Sequence, residues 1–277
     1  MESEERIAVL HSDHVRNAAR HAAALNWRSG LEMAHGLVWI TRQPPEGAAH
    51  ESYRRDRAQE RLAVVAALRS LLQETLALEV RENDFSLYRD PLGKPCLRWS
   101  ASAEALLRSA GLKPERIHIS NTHDGDYHVV IAAYSPQLAG VGIDLVALSR
   151  LGEASKDRRY LNRLARRFMS DAEYARAVPE TTAESDDRFR LRVAAHFSLM
   201  EAASKALGTG LKVGAGMGTE YSVPMKSIAV AELGPPTTLE FEGPAADRMA
   251  ALNVGRVTAG WSYDEECVVS FVGLESV

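Results

Sequence analysis

The chain has 277 residues, 45% hydrophobic and 25% charged, with a formal net charge of −4. That is enough for one large domain or two of ordinary size with a packed core. With 33 basic against 37 acidic residues, it excludes a global field directed at nucleic acid, so any basic site must be local. No run of eighteen apolar residues occurs, so no transmembrane helix or membrane partner is expected. Cys96 and Cys267 lack metal-ligand spacing, and the charged start from Met1 leads into no apolar signal core. A reduced, cytoplasmic setting without a secretion signal is the expectation.

In chain order, the stretch from Trp27 to Trp39 reads as packed structure, and Pro44-Pro45-Glu46-Gly47 as a loop. From Arg57 to about Glu79, apolar residues at helical spacing (Leu62, Val65, Leu68, Leu72, Leu76) predict a long amphipathic helix. Gly93-Lys94-Pro95 marks a turn. Residues 141–146, a short β-branched run ending near Asp144, read as a strand. Ser170-Asp171-Ala172-Glu173 has capping-box form and predicts a helix start. Residues 178–187 form a Pro/Thr/Ser/Asp-rich loop. A second long helix spans Arg188 to Leu207, and Gly208 supplies its stop. Short strands with Gly/Pro turns follow.

The sequence echoes itself. Residues 116–132 align without a gap on 256–272, an offset of 140 that places Arg116 on Arg256, Asp124 on Asp264 and His123 on Tyr263. The Gly/Pro turn at 92–95 matches 233–236 at an offset of 141. The order of turn, short helix and strand-turn-strand recurs, which predicts an α+β protein of two pseudo-symmetric halves, 1–137 and 138–277. The period is too long for a solenoid.

The chemistry-bearing residues are few. Asp144 ends an apolar strand, where a carboxylate meets a cleft. Glu201 and Lys205 are four apart and share one helical face. A carboxylate pair for a divalent cation, with an ammonium on the same wall, suits a phosphate ester. The simpler alternatives are a turn-capping aspartate and a surface ion pair worth about 0.3–0.5 kcal/mol. Thr122-His123-Asp124-Gly125 places a histidine in a Gly-containing turn, where an imidazole can donate to a phosphate oxygen. Lys94 is either a solvated turn lysine or a nucleotide contact. Arg54, Arg55, Arg57 and Arg61 precede and begin the first long helix. Arg158, Arg159, Arg163, Arg166 and Arg167 make a local basic patch, either a solvated helix face or a docking surface.

Taken together, Gly142-Ile143-Asp144 and the run Phe197–Leu211, containing Glu201, Lys205 and Gly208-Thr209-Gly210, resemble the signature blocks of the 4'-phosphopantetheinyl transferases. Gly93-Lys94-Pro95 resembles the family's first block, and Thr122-His123 the Ser-His block of its longer, surfactin-type members. Asp144 to Arg150 and the Arg167–Glu173 helix start look like the short holo-acyl-carrier-protein synthases. The resemblance covers roughly residues 55 to 277.

It implies transfer of phosphopantetheine from coenzyme A to a carrier-protein serine, with Mg2+ on Asp144 and Glu201. The expected catalytic residues are Glu201, Lys205 and His123. Lys94, Thr122, His123, Arg57 and Lys205 are the expected coenzyme A contacts. Either Glu201 or a metal-bound water takes the serine proton, 3',5'-ADP leaves, and the arginine patch meets an acidic carrier. An internal duplication makes a monomer sufficient. Two departures stand out. Val146 holds the place of a second acid, which the short synthases also lack. Met200 stands where the family usually has lysine, removing a charge whose contact to phosphate is worth roughly 1.5–3 kcal/mol. Met200 therefore motivates an alternative: a transferase-like protein that has lost or changed this activity and binds or modifies carrier-bound substrates.

Overall fold

A computed structural model describes residues 21–29, 32–42, 61–75, 77–79, 81–91, 93–124, 127–151, 158–178, 185–212 and 222–277. The expected loop at 44–47 and Arg54, Arg55, Arg57 and Gly125 lie outside these residues, as do 179–184 of the expected loop at 178–187.

The architecture is α+β. Strands β1 (His21–Ser29) and β2 (Glu32–Arg42) lead to a helix, α1, over 61–70 that closes with one π turn at Leu71–Thr75. A hairpin of β3 (Phe85–Arg89) and β4 (Pro95–Trp99) precedes α2 (Ala101–Ser109). Then come β5 (Ile117–Asp124), β6 (Tyr127–Tyr134) and β7 (Leu138–Ala147). Helices α3 (Arg158–Phe168), α4 (Asp171–Ala177) and α5 (Asp186–Leu207) follow. The two-residue strands β8 (Leu211–Lys212) and β9 (Val223–Pro224) come next. The chain finishes with β10 (Ile228–Glu232), β11 (Thr238–Phe241), α6 (Gly243–Ala251), β12 (Val254–Tyr263) and β13 (Cys267–Ser276).

One sheet has the order β1-β2-β6-β5 and another β12-β13-β7, and three two-stranded pairs complete the set. The echo in the sequence reappears in strand register. Tyr127 faces Arg42 and Tyr134 faces His35; shifted by 140, Cys267 faces Ala147 and Leu274 faces Gly140. The hairpins agree as well, with His123 opposite His128 and Tyr263 opposite Val268.

Alternation along the strands assigns the layers, because successive side chains leave opposite faces. Odd-numbered residues of β6, β7 and β13 (Val129, Ile131, Val141, Ile143, Val269, Phe271) form one buried cluster between the sheets. Val130 and Ala132, on the other face of β6, pack with Val65, Leu68 and Leu72 of α1. The far face of the second sheet, through Val272 and Leu274, joins Ala202, Ala203 and Ala206 of α5.

The long second helix begins two residues earlier than its periodicity alone suggests. Ser185 Oγ accepts from the Arg188 N–H and fixes the N-cap, while Asp186 and Asp187 complement the helix dipole. Gly208, at φ 73°, ends the helix in the left-handed region that a Cβ disfavours. Ser170 caps α4 by accepting from the Glu173 N–H. The Glu173 side chain does not close a capping box. It turns inward, where its Oε1 accepts from the Val230 N–H at 3.0 Å and meets His196 Nδ1 at 2.7 Å. That buried pair ties α4 to α5 and β10.

Candidate active site

Helix α5 lies directly on β7 because two glycines let it approach. A Cβ at Gly142 would stand 1.8 Å from Ala202 O, and one at Gly140 2.1 Å from Ala206 O. Two strand residues rise about 6–7 Å and four helix residues about 6 Å, so the elements stay in step while running in opposite directions. The next step along the same face of β7 brings Asp144 level with Ser198–Glu201.

Asp144 is buried there, and its Oδ1 takes two partners. Lys205 Nζ donates at 2.7 Å and Thr122 Oγ1 at 3.0 Å. Lys205 Nζ also donates to Ile143 O at 3.1 Å. The contacts of Asp144 with described residues all fall on Oδ1, which leaves Oδ2 for another partner. Glu201 is half-buried one turn before Lys205 on the same helix face.

The donor chemistry suits a hard divalent cation: carboxylate and hydroxyl oxygens, with no thiolate or imidazole in the cluster. Among the described residues no three His, Cys, Asp or Glu side chains gather into a metal cage.

Strand β5 runs alongside β7 and is stitched to it by side chains at every second position. Ser120 Oγ accepts from the Ile143 N–H at 3.2 Å, and Asp124 Oδ2 from the Ala147 N–H at 2.8 Å. Thr122 is the middle stitch. Thr122, expected as a coenzyme A contact, donates its hydroxyl to the Asp144 carboxylate. Alternation sends His123 to the opposite face of β5, where it is exposed, so the structure does not gather it with Asp144 and Lys205.

Lys94 is also elsewhere. Its ammonium points at the C-terminal end of α5, 3.5 Å from Ala206 O, beside Arg248, whose Nε donates to Leu207 O at 3.0 Å. Burial lowers the Lys94 pKa, opposed by Cys96 and Asp90 and reinforced by Arg248. Gly140, which Lys94 approaches, is four residues from Asp144, about 13 Å along the strand. Nearby His118 is pushed down to about 3, first by burial and then by Lys94, and stays a neutral partner of Leu138 O.

Met200 belongs to the core, fully buried with Leu161, Phe168 and Val230. Successive helix residues turn about 100°, so Met200 and Ala202 point some 160–200° apart. Since Ala202 faces Gly142, Met200 faces away from the strand that bears Asp144.

Sequence reasoning missed Ser120 and Ser270, and it missed the Glu173–His196 pair. Little in the sequence singles out Ser120, because six of the eight residues of β5 are polar.

The model of the 4'-phosphopantetheinyl transferase superfamily matches residues 140–252, which contain Asp144, Glu201 and Lys205. The holo-[acyl-carrier-protein] synthase of Halorhodospira halophila is 34% identical over 139 residues, 49% of this chain and 95% of that protein. The synthase of Desulfovibrio desulfuricans is 31% identical over 140 residues, 50% of this chain and 99% of that protein. Among solved structures, a holo-(acyl-carrier-protein) synthase from Bacillus anthracis in complex with CoA (3',5'-ADP) aligns at 24% identity and a TM-score of 0.36, covering 51% of this chain and 99% of that one. With relatives above 30% identity spanned almost end to end, the chain belongs to the 4'-phosphopantetheinyl transferase superfamily.

Proposed function

We propose that this protein transfers the 4'-phosphopantetheine arm of coenzyme A to a serine of an acyl or peptidyl carrier protein, with Mg2+ held by Asp144 and Glu201. The observation that carries the reading is the Asp144–Lys205 contact at 2.7 Å, one helical turn from Glu201 and within the family-matched segment. Asp144, through the Oδ2 that Lys205 and Thr122 leave open, and Glu201 would hold magnesium, which would supply charge neutralisation for the diphosphate. Lys205 turns from Asp144 Oδ1 to a phosphate oxygen, and Thr122 keeps the carboxylate in place. The carrier serine attacks the β-phosphorus, 3',5'-ADP departs, and Glu201 accepts the serine proton directly or through water.

The coenzyme lies in the cleft between the halves 1–137 and 138–277. Support comes from Thr122 of the first half reaching Asp144 of the second, and from Lys94 meeting the end of α5. His123, exposed next to Thr122, and Lys94 contact more distal parts of the coenzyme, as does Arg57. On α3, Arg159, Arg163, Arg166 and Arg167 are exposed at spacings that form one stripe, which steers an acidic carrier. A single chain suffices, because both sides of the cleft belong to it. No described helix is long and apolar enough to cross a membrane, and a cytoplasmic location fits the use of coenzyme A.

The test is direct. The full chain is mixed with coenzyme A, Mg2+ and several apo carriers of fatty-acid, polyketide and peptide systems, and each carrier is weighed. One phosphopantetheinyl group gained on the carrier serine is the expected result. No gain on any carrier rejects the reading in favour of a transferase-like binder of carrier-attached substrates.

A further inference from the structure

The face of β7 and β13 that meets α5 is built for close, dry contact. Gly140, Gly142, Val272 and Leu274 pack against Ala202 and Ala206, and further along Val146 and Val268 pack against Ala194 and Ala195. One level interrupts this apolar run. Asp144 and Ser270 are direct partners in the β7–β13 ladder, so their side chains leave the same face with Cβ atoms about 4.5–5.5 Å apart. Ser198 lies on α5 between Ala195 and Ala202, at the height where that pair falls.

Both serines are buried, Ser198 at 0% and Ser270 at 1% exposure, and neither hydroxyl has a hydrogen-bond partner among the described residues. A buried hydroxyl left unpaired costs about 1–3 kcal/mol. Packing alone would be served by alanine, as it is at 195 and 202. Paired with Ser270 across the ladder, and level with Ser198, stands a carboxylate with one oxygen doubly held and the other, Oδ2, without a partner among the described residues.

We propose that Ser198 and Ser270 are positioning residues for Asp144, holding its carboxylate once Lys205 has left Oδ1 for the substrate. The inference rests on the reading of Asp144 as a cation ligand given under Proposed function. In the resting molecule Lys205 and Thr122 fix Asp144, and the serines are spare. When the ammonium turns to phosphate, the carboxylate loses its strongest tether while it must still present an oxygen to the cation. A change of χ1 rotamer in each serine then supplies a donor from the buried side. This explains why two hydroxyls are tolerated unpaired in a seam that is otherwise apolar around Asp144.

The test is Mn2+ binding to the full chain in the presence of coenzyme A, read from the resonance of free Mn2+, together with thermal melting. Ser270→Ala and Ser198→Ala are expected to weaken Mn2+ binding about tenfold, the scale of an outer-shell partner. Their melting temperature should be unchanged or raised, because an unpaired buried hydroxyl has been removed. Ser270→Thr, which keeps the hydroxyl, should bind as the parent does. Parent-like Mn2+ binding in both alanine variants would show that the hydroxyls only fill space and overturn the proposal alone. A parent protein that binds no Mn2+ with coenzyme A would remove the cation site and the proposal together.

Discussion

Asp144→Asn is expected to reduce carrier phosphopantetheinylation by at least about 100-fold while the chain stays folded. Loss of an outer-shell partner costs 10–100-fold in metal affinity or activity, and loss of the ligand itself must cost more. Asparagine keeps the shape and an acceptor for Thr122 Oγ1, but it removes the charge that opposes Lys205 and that the proposed cation site requires. Stability should fall by only about 1–2 kcal/mol, because Lys205 retains Ile143 O as a partner and its partly exposed ammonium turns toward water. Rates from carrier mass spectrometry and a thermal melt measure the two effects separately. Loss of activity through unfolding, or activity within a few-fold of the parent, contradicts the assignment.

Gly142→Val is expected to cost about 3 kcal/mol or more, a fall in melting temperature of about 6–12 °C for a chain of this size. The cause is space rather than backbone freedom, since Gly142 does not adopt a positive φ. A Cβ there would stand 1.8 Å from Ala202 O and 2.7 Å from Ala206 N, both backbone atoms of a helix packed along its length. The helix has to lift, and Glu201 and Lys205 lift with it, so transfer falls too. Gly234→Ala is the control: nothing lies within 4 Å of a Cβ at that position, and the melt should not move. Similar melts for the two variants would mean that α5 does not rest on β7 as described.

The legibility of the fold followed how local each signal is. The end of helix α5 could be read because Gly208 is written next to it, whereas its start was set at Arg188 because the Ser185 cap lies in a stretch that reads as loop. The repeat at an offset of 140 could be read because a hairpin's register is set by its own turn, and the third strand of each sheet then paired at corresponding positions. The Glu201/Lys205 pair could be read because four residues make roughly one turn.

What stayed hidden depended on neighbours from distant parts of the chain. Thr122 and His123 looked equivalent in a turn motif, yet strand alternation sends one to Asp144 and the other to the surface. Met200 is adjacent to Glu201 in sequence, and a rotation of 100° per residue puts its side chain in the core. Lys94 carried a family-like turn, and only the tertiary fold shows its ammonium against the carbonyls that end α5. The Glu173 carboxylate resembled one half of a capping box. A buried histidine 23 residues away and the Val230 amide drew it inward instead.

The most direct measurement locates a cation. Crystals of the full chain grown with coenzyme A and Mn2+ are examined by anomalous scattering at the manganese edge. The account predicts one strong peak in contact with carboxylate oxygens of both Asp144 and Glu201, next to the diphosphate. Manganese held by neither residue, or by one with the other turned away into separate contacts, would contradict it.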